Sequence, residues 1–249
     1  VEISIGSSKG LLARIVGRVH SRERAARIGA LGIATGARCR DEQTVMATFL
    51  HHGDLPDGLS FGDSVAVDSE AMGLKFGRDD LTVVQLSAGD GDAHLVQLRR
   101  PAYDAPNLKR LLADPAVTKI FHFGRFDIAM FVLHLGVVTA PVYCTKIASK
   151  LARTYTDRHG LKDVTRELLG IDISKAQQSS DWGAAELSAD QQAYAASDVL
   201  NLHALRARLD AMLVRENRMT LAKACFDFLP ARAQLDIAGW EDVDIFAHS

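Results

Sequence analysis

The chain has 249 residues, 47% of them hydrophobic and 24% charged, with 19 Gly, 6 Pro and a formal net charge of −2. This composition excludes disorder, a collagen-like repeat or a coiled coil as a description of the whole, and the length allows one large domain or two small ones. No apolar stretch reaches the roughly 18 residues that a membrane helix needs, so no membrane partner is expected.

Cys39, Cys144 and Cys225 offer no C-x-x-C pair, which leaves a thiolate zinc site or a disulfide framework without support. A reducing compartment, most simply the cytoplasm, is the expected location. The charge is unevenly spread: residues 1–43 carry eight basic and four acidic side chains, against 21 and 27 in the remainder. A core this acidic cannot blanket long nucleic acid with Lys and Arg, so phosphates would have to be met by local basic patches or metal ions.

Residues 1–45 are rich in Arg and small residues and begin with Val1. The apolar run at 28–37 contains three glycines and is followed by Arg38, a poor signal-peptide core. The segment reads as a poorly ordered or non-native extension, with Met46 as the expected start. A G-x-S-x-G match at residues 6–10 lies inside it and lacks the central sheet that a hydrolase elbow needs.

From residue 64 the pattern becomes α/β. Residues 65–67, 81–87 and 94–98 read as strands, with GDGD at 89–92 as the hairpin turn between the last two. Residues 107–113 form a short helix with Leu108, Leu111 and Leu112 on one face. Residues 119–123 are a strand, and Gly124 leads into an apolar helix that stops near Gly136. A long helix is expected over 188–213, opened by the capping box of Ser188 and Gln191. A shorter one, about 215–228, precedes Pro230.

Three acidic motifs stand out. Asp68 and Glu70 end the first strand two residues apart, so both carboxylates project from one face and suit a hard cation such as Mg²⁺ or Mn²⁺. Chance alone gives about 0.7 D-x-E matches in this composition, and a turn-capping Asp beside a solvated Glu would look the same. Asp127 sits in a first helical turn, where a carboxylate also complements the helix dipole. Tyr194 and Asp198 are four apart on one helix face; a half-buried Tyr beside an exposed Asp is the plain alternative. Taken in order, these segments supply four carboxylates, which is what two-metal phosphodiester hydrolysis requires.

In that order the segments resemble the exonuclease motifs of the DEDD 3′–5′ exonucleases, tyrosine subclass; the histidine subclass places His where this chain has Ala193. The resemblance to the ribonuclease D branch extends through VDSEAMGL (67–74), KIFHFGRFD (119–127), GLKDV (160–164), SDW (180–182) and YAASD (194–198). The short alphaproteobacterial form, nanoRNase C, is closer still, through CTKIASKL (144–151), TYTDRHG (154–160), QQSSDW (177–182) and ACFDFLP (224–230).

The resemblance implies a ribonuclease H-like α/β exonuclease domain over 46–213, with a mixed central sheet flanked by helices. It also implies a short C-terminal helical tail, 214–249, as an oligomer contact. Two divalent cations, Mg²⁺ or Mn²⁺, would be held by Asp68, Glu70, Asp127 and Asp198, with Tyr194 positioning the attacking water. The substrate implied is very short RNA, diribonucleotides above all, cut to nucleoside 5′-monophosphates by a homo-octamer. Longer or structured RNA and double-stranded DNA are the alternative substrates. About 36 residues follow Leu213, too few for the accessory helical domains of ribonuclease D, which weighs against large structured RNA.

For substrate contacts, Leu74 matches the family's wedge between two bases. His122 and Phe123 flank the metal site as pocket walls, although buried strand residues are the plainer reading. Arg153, Tyr155, Arg158, His159 and Lys162 form a basic and aromatic cluster suited to a 5′-phosphate cap with a stacked base, with a solvated loop as the alternative. Trp182 is expected to pack against the domain. A catalytically silent nucleic-acid-binding module is the rival from another class, and a Mg²⁺-dependent hydrolysis assay separates the two.

Overall fold

The computed structural model describes residues 47–174 and 176–248; the extension over 1–45 and its G-x-S-x-G match lie outside them. In chain order the elements are β1 (Thr48–His52), β2 (Ser64–Ala71), β3 (Leu81–Ser87), β4 (Ala93–Gln97), α1 (Pro106–Ala113), β5 (Thr118–Phe121), α2 (Arg125–Met130), β6 (Val142–Cys144), α3 (Thr145–Ala152), α4 (Leu161–Leu169), α5 (Ala189–Leu200), α6 (Leu202–Arg215) and α7 (Met219–Leu235).

The six strands form one mixed sheet in the order β1-β4-β3-β2-β5-β6. β3 is buried at all seven positions, as expected of a Val/Leu-rich strand covered on both faces. It pairs antiparallel with β2 and β4, whereas β5 lies parallel to β2 and to β6. The β2–β5 ladder covers Ser64 to Ala66 only. Asp68, Ser69 and Glu70 therefore run past it, at the carboxyl ends of two parallel strands, where open α/β sheets build their sites.

One apolar cluster joins Val83 and Leu95 of the sheet to Trp182, Leu187 and Ala195, which seats α5 on β2, β3 and β4. A larger cluster gathers Val65, Val84, Ile120 and Phe121 with Leu108, Ile128, Leu205, Leu209 and Phe226. Trp182 is thus packed against the domain, as the sequence suggests.

Four local expectations change. The helix expected over 188–213 is two, broken at Asn201 (φ −99°, ψ −4°), so that α5 lies on the sheet while α6 packs against α3 and α4. The last helix runs to Leu235 straight through the buried Pro230, because packing against α2, β6 and α3 outweighs the lost backbone donor. Short β1 and β6 carry too little periodicity to be read locally, whereas α3 and α4 are amphipathic helices that the strand and helix expectations above do not include. Finally, the expected boundary at 213/214 falls inside α6, and the described residues form one compact unit. Within the tail expected as an oligomer contact, Phe226 and Leu229 are buried in that unit, whereas Phe228 and Trp240 are exposed.

Candidate active site

The capping box forms as read: the Ser188 side chain accepts from the Gln191 backbone, and the Gln191 side chain accepts from the Ser188 backbone. It starts α5 so that Tyr194 and Asp198 come down over β2. There Asp68, Glu70 and Asp198 each offer a carboxylate oxygen, and all three oxygens lie within 4.8 Å of one another. Asp127, buried in the first turn of α2, is tied to the same strand by a 2.6 Å hydrogen bond donated by the Ser69 hydroxyl to its Oδ1.

The turn that aims Asp127 is tight. Phe123 adopts φ 71°, in the left-handed region that a bulky side chain rarely visits. A Cβ at Gly124 would sit 2.5 Å from the Phe121 ring, so only glycine lets the chain pass from β5 into α2 here. Backbone strain of this kind concentrates at functional sites.

Packed negative charge dominates the electrostatics. Burial, and then the charges of Asp198 and Asp127, push Glu70 up to about 9. Burial likewise raises Asp68, with Asp127, Asp198 and Glu70 adding to it. Burial lifts Asp127 to about 6, against the opposing pull of the Ser69 bond. Burial, with the charges of Asp198, Glu70 and Asp68, raises Tyr194 above its ordinary value. Tyr194 is therefore held as a neutral phenol that can donate a hydrogen bond. Oxygen-only donors under mutual repulsion are what a hard divalent cation relieves, so these residues fit such an ion.

A cavity of about 300 Å³ over Asp68, Glu70, Tyr194 and Asp198 is walled by His122, Phe123, Lys146 and Lys162. A neighbouring cleft of about 500 Å³ is lined by Asp68 and Asp127 together with Leu74, Phe76 and Phe126. Leu74 is 76% exposed. Its loop is held by the Asp79 carboxylate, which accepts from the Lys75 backbone and pairs with Arg78. The rings of Phe76 and Phe126 stack 5.6 Å apart. His122 shares a 2.8 Å hydrogen bond with the Thr145 hydroxyl, and burial holds its imidazole far below its usual range, at about 3.

Lys146 was not singled out by the sequence reading. Its ammonium lies 4.0 Å from the centre of the Phe123 ring, a cation–π contact on the cavity wall. The available signal was its place in the first turn of α3, where a cation opposes the helix dipole.

The expected cap cluster does not come together as one surface. Arg153 is completely buried and pairs with Glu167; its Nη1 donates to Ser149 Oγ (2.9 Å) and to the Arg158 carbonyl (2.8 Å). Tyr155 donates to Glu167 at 2.6 Å, and His159 shares a bond with Ser149. Arg153 is therefore corrected from a phosphate ligand to an internal staple of the 153–160 loop. Of that cluster Lys162 lines the carboxylate cavity, whereas Tyr155, Arg158 and His159 are not among its lining residues.

Comparison with known proteins agrees with this geometry. Residues 41–214 match a family described as 3′-5′ exonuclease. Curated relatives include the ribonuclease D of Acidiphilium cryptum, 40% identical over 66% of this chain and 42% of that protein. The ribonuclease D of Granulibacter bethesdensis is 36% identical over 62% of this chain and 39% of its own length. The chain spans about two fifths of the length of these relatives. Brucella melitensis NrnC has a solved structure that is 55% identical with a TM-score of 0.80, covering 82% of this chain and 100% of NrnC. Structures of that protein with bound pGG (54% identical, TM-score 0.80) and with bound Mg²⁺ (53%, 0.79) cover the same 82% of this chain.

Proposed function

Since this chain belongs to the 3′-5′ exonuclease family, and is thereby a nuclease of the ribonuclease D type, we propose that it hydrolyses very short RNA. In this reading diribonucleotides are cut to nucleoside 5′-monophosphates with the help of two divalent cations, Mg²⁺ or Mn²⁺. The observation that carries the chemistry is the convergence of Asp68, Glu70 and Asp198 within 4.8 Å, with Asp127 held alongside by Ser69. The full match in length to an NrnC that has been seen with pGG supports the choice of substrate.

Asp68, Glu70, Asp127 and Asp198 hold the cations, which when bound supply an acidified water and stabilise the leaving 3′-oxygen. Tyr194, kept protonated by burial and by its acidic neighbours, donates a hydrogen bond that orients the water for in-line attack. Leu74 projects between the two bases, and the Phe76 and Phe126 rings border the same cleft. Lys146 and Lys162 meet the phosphates on the cavity wall. His122, buried and neutral, shapes that wall and takes no part as an acid.

Assembly and location complete the reading. The exposed Phe228, Trp240 and Phe246 concentrate apolar surface at the C-terminal end, and we assign it to contacts between copies in a homo-oligomer, with eight subunits as the expected number. Among the described residues no helix is long and apolar enough to cross a membrane, and the cytoplasm is the proposed site of action.

The test is the initial rate on 2-, 3-, 5- and 10-mers in Mg²⁺, each with and without a 5′-phosphate, beside a DNA duplex. The proposal expects the 5′-phosphorylated dinucleotide to be fastest. A rate that is flat or rises with length, or faster cutting of duplex DNA, overturns it in favour of a broader exonuclease.

A further inference from the structure

Gln85 lies at the centre of β3 with no solvent exposure, and neither its Oε1 nor its Nε2 has a hydrogen-bond partner among the described residues. Buried amides are costly without partners, and natural cores rarely retain them. Its neighbours along and across the sheet, Val83 and Leu95, belong to the small apolar cluster beneath α5, where a Val or Leu would pack without penalty. A glutamine at that position therefore calls for a reason outside core packing.

The sheet register supplies one. Gln85 is the direct antiparallel partner of Asp68, and Val83 is the partner of Glu70. Directly opposed residues project from the same face with Cβ atoms about 5 Å apart, within the reach of a glutamine side chain. The Gln85 amide thus stands on the Asp68 side of the sheet, under the helix that carries Asp198. Trp182, in the same apolar cluster, has a buried indole Nε1–H that also lacks a partner among the described residues. One layer accordingly holds an unmet donor in Trp182, an amide with both ends unmet, and the half-buried Asp68 carboxylate.

We infer that Gln85 is a positioning residue of the metal site, its Nε2 donating to the Asp68 carboxylate through one buried water. This fixes which Asp68 oxygen faces a cation. Ligating carboxylates are commonly oriented in this way, and loss of such a partner typically lowers metal affinity about 10–100-fold. The inference rests on the two-cation reading above.

The test compares Mg²⁺ binding to the wild-type protein and to Gln85→Met and Gln85→Leu, by calorimetry and by the Mg²⁺-induced rise in melting temperature. Both variants are expected to bind Mg²⁺ at least about tenfold more weakly, with the EDTA-treated protein melting no lower than wild type. A Mg²⁺ affinity within twofold of wild type overturns the inference, whatever happens to stability. A wild-type protein that binds no Mg²⁺ overturns the two-cation reading, and this inference with it. A crystal structure of the wild-type protein with Mg²⁺ tests the point without any variant. A water held by Gln85 Nε2 should lie about 2.7–3.2 Å from an Asp68 oxygen; an amide bonded only elsewhere overturns the inference.

Discussion

The hydroxyl of Ser69 donates a 2.6 Å hydrogen bond to Asp127, joining the middle residue of D-x-E on β2 to the first turn of α2, 58 positions later in the chain. The bond places a fourth carboxylate beside the three that converge on one point. It also favours the charged form of Asp127 against the cost of its burial. Ser69→Ala should therefore lower kcat by about tenfold or more, in line with the roughly 1.5–3 kcal/mol of a hydrogen bond to a charged group. Single-turnover rates at saturating Mg²⁺ check this, and an unchanged rate would show that Asp127 is placed by α2 alone.

Asp127→Asn removes a ligand charge with almost no change of volume. Hydrolysis should fall to background while the melting temperature in EDTA stays level or rises, because a buried, repelled carboxylate has gone. Tyr194→Phe should lose most of the rate and keep Mg²⁺ binding. Near wild-type turnover by either variant would falsify the roles assigned to these two residues.

The metal-free protein should lose stability as pH rises. Glu70 titrates near 9 in the fold against an ordinary 4.5. Between those values the native state holds a proton that the unfolded chain has released, so stability is greatest at the acid end and declines toward pH 9. Asp68 and Asp127, also raised, act in the same direction. Melting curves in EDTA should drop by roughly 8–16 °C from pH 5.5 to 9, which corresponds to about 4 kcal/mol, one proton held over about three pH units, in a domain of this size. Mg²⁺ should remove most of that slope. A slope of the opposite sign in EDTA would show that the carboxylates are not mutually repelled.

Lys146→Met takes a cation from the cavity wall and from the face of Phe123. Loss of one charged contact to phosphate should raise KM for a dinucleotide about tenfold, with a smaller effect on kcat. Steady-state kinetics at fixed Mg²⁺ separate the two parameters. Equal falls in kcat and kcat/KM would instead place Lys146 among the groups that act only in the transition state.

Arg153→Met should report a structural residue. Its loss breaks a buried ion pair, but Glu167 is 41% exposed and can return to water, so about 2 kcal/mol is expected instead of the 3–5 of a fully buried pair. The melting temperature should fall by roughly 4–8 °C while KM for the 5′-phosphorylated dinucleotide changes little. A KM effect without a stability effect would return Arg153 to the substrate.

Residue spacing alone determined a good deal about this protein. The two-residue step from Asp68 to Glu70, the four-residue step from Tyr194 to Asp198 and the Ser188–Gln191 capping box were all legible. Each depends on the period of a single strand or helix, which decides what shares a face wherever that element ends up. The same holds for the glycines of the 89–92 turn, which adopt the positive φ that such a turn demands. Tertiary structure decided what each charged or irregular residue meets across the chain. Arg153 carries the composition of a phosphate ligand, yet Glu167 and Ser149 enclose it. Arg125 pairs with Asp236, 111 residues away, and Ser69 reaches Asp127 only because β2 outruns its pairing with β5. Pro230 reads as a helix terminator until α7 is packed on its neighbours. Whether a polar group faces water or a buried partner is settled by desolvation and by contacts between distant segments, and local periodicity carries no record of either.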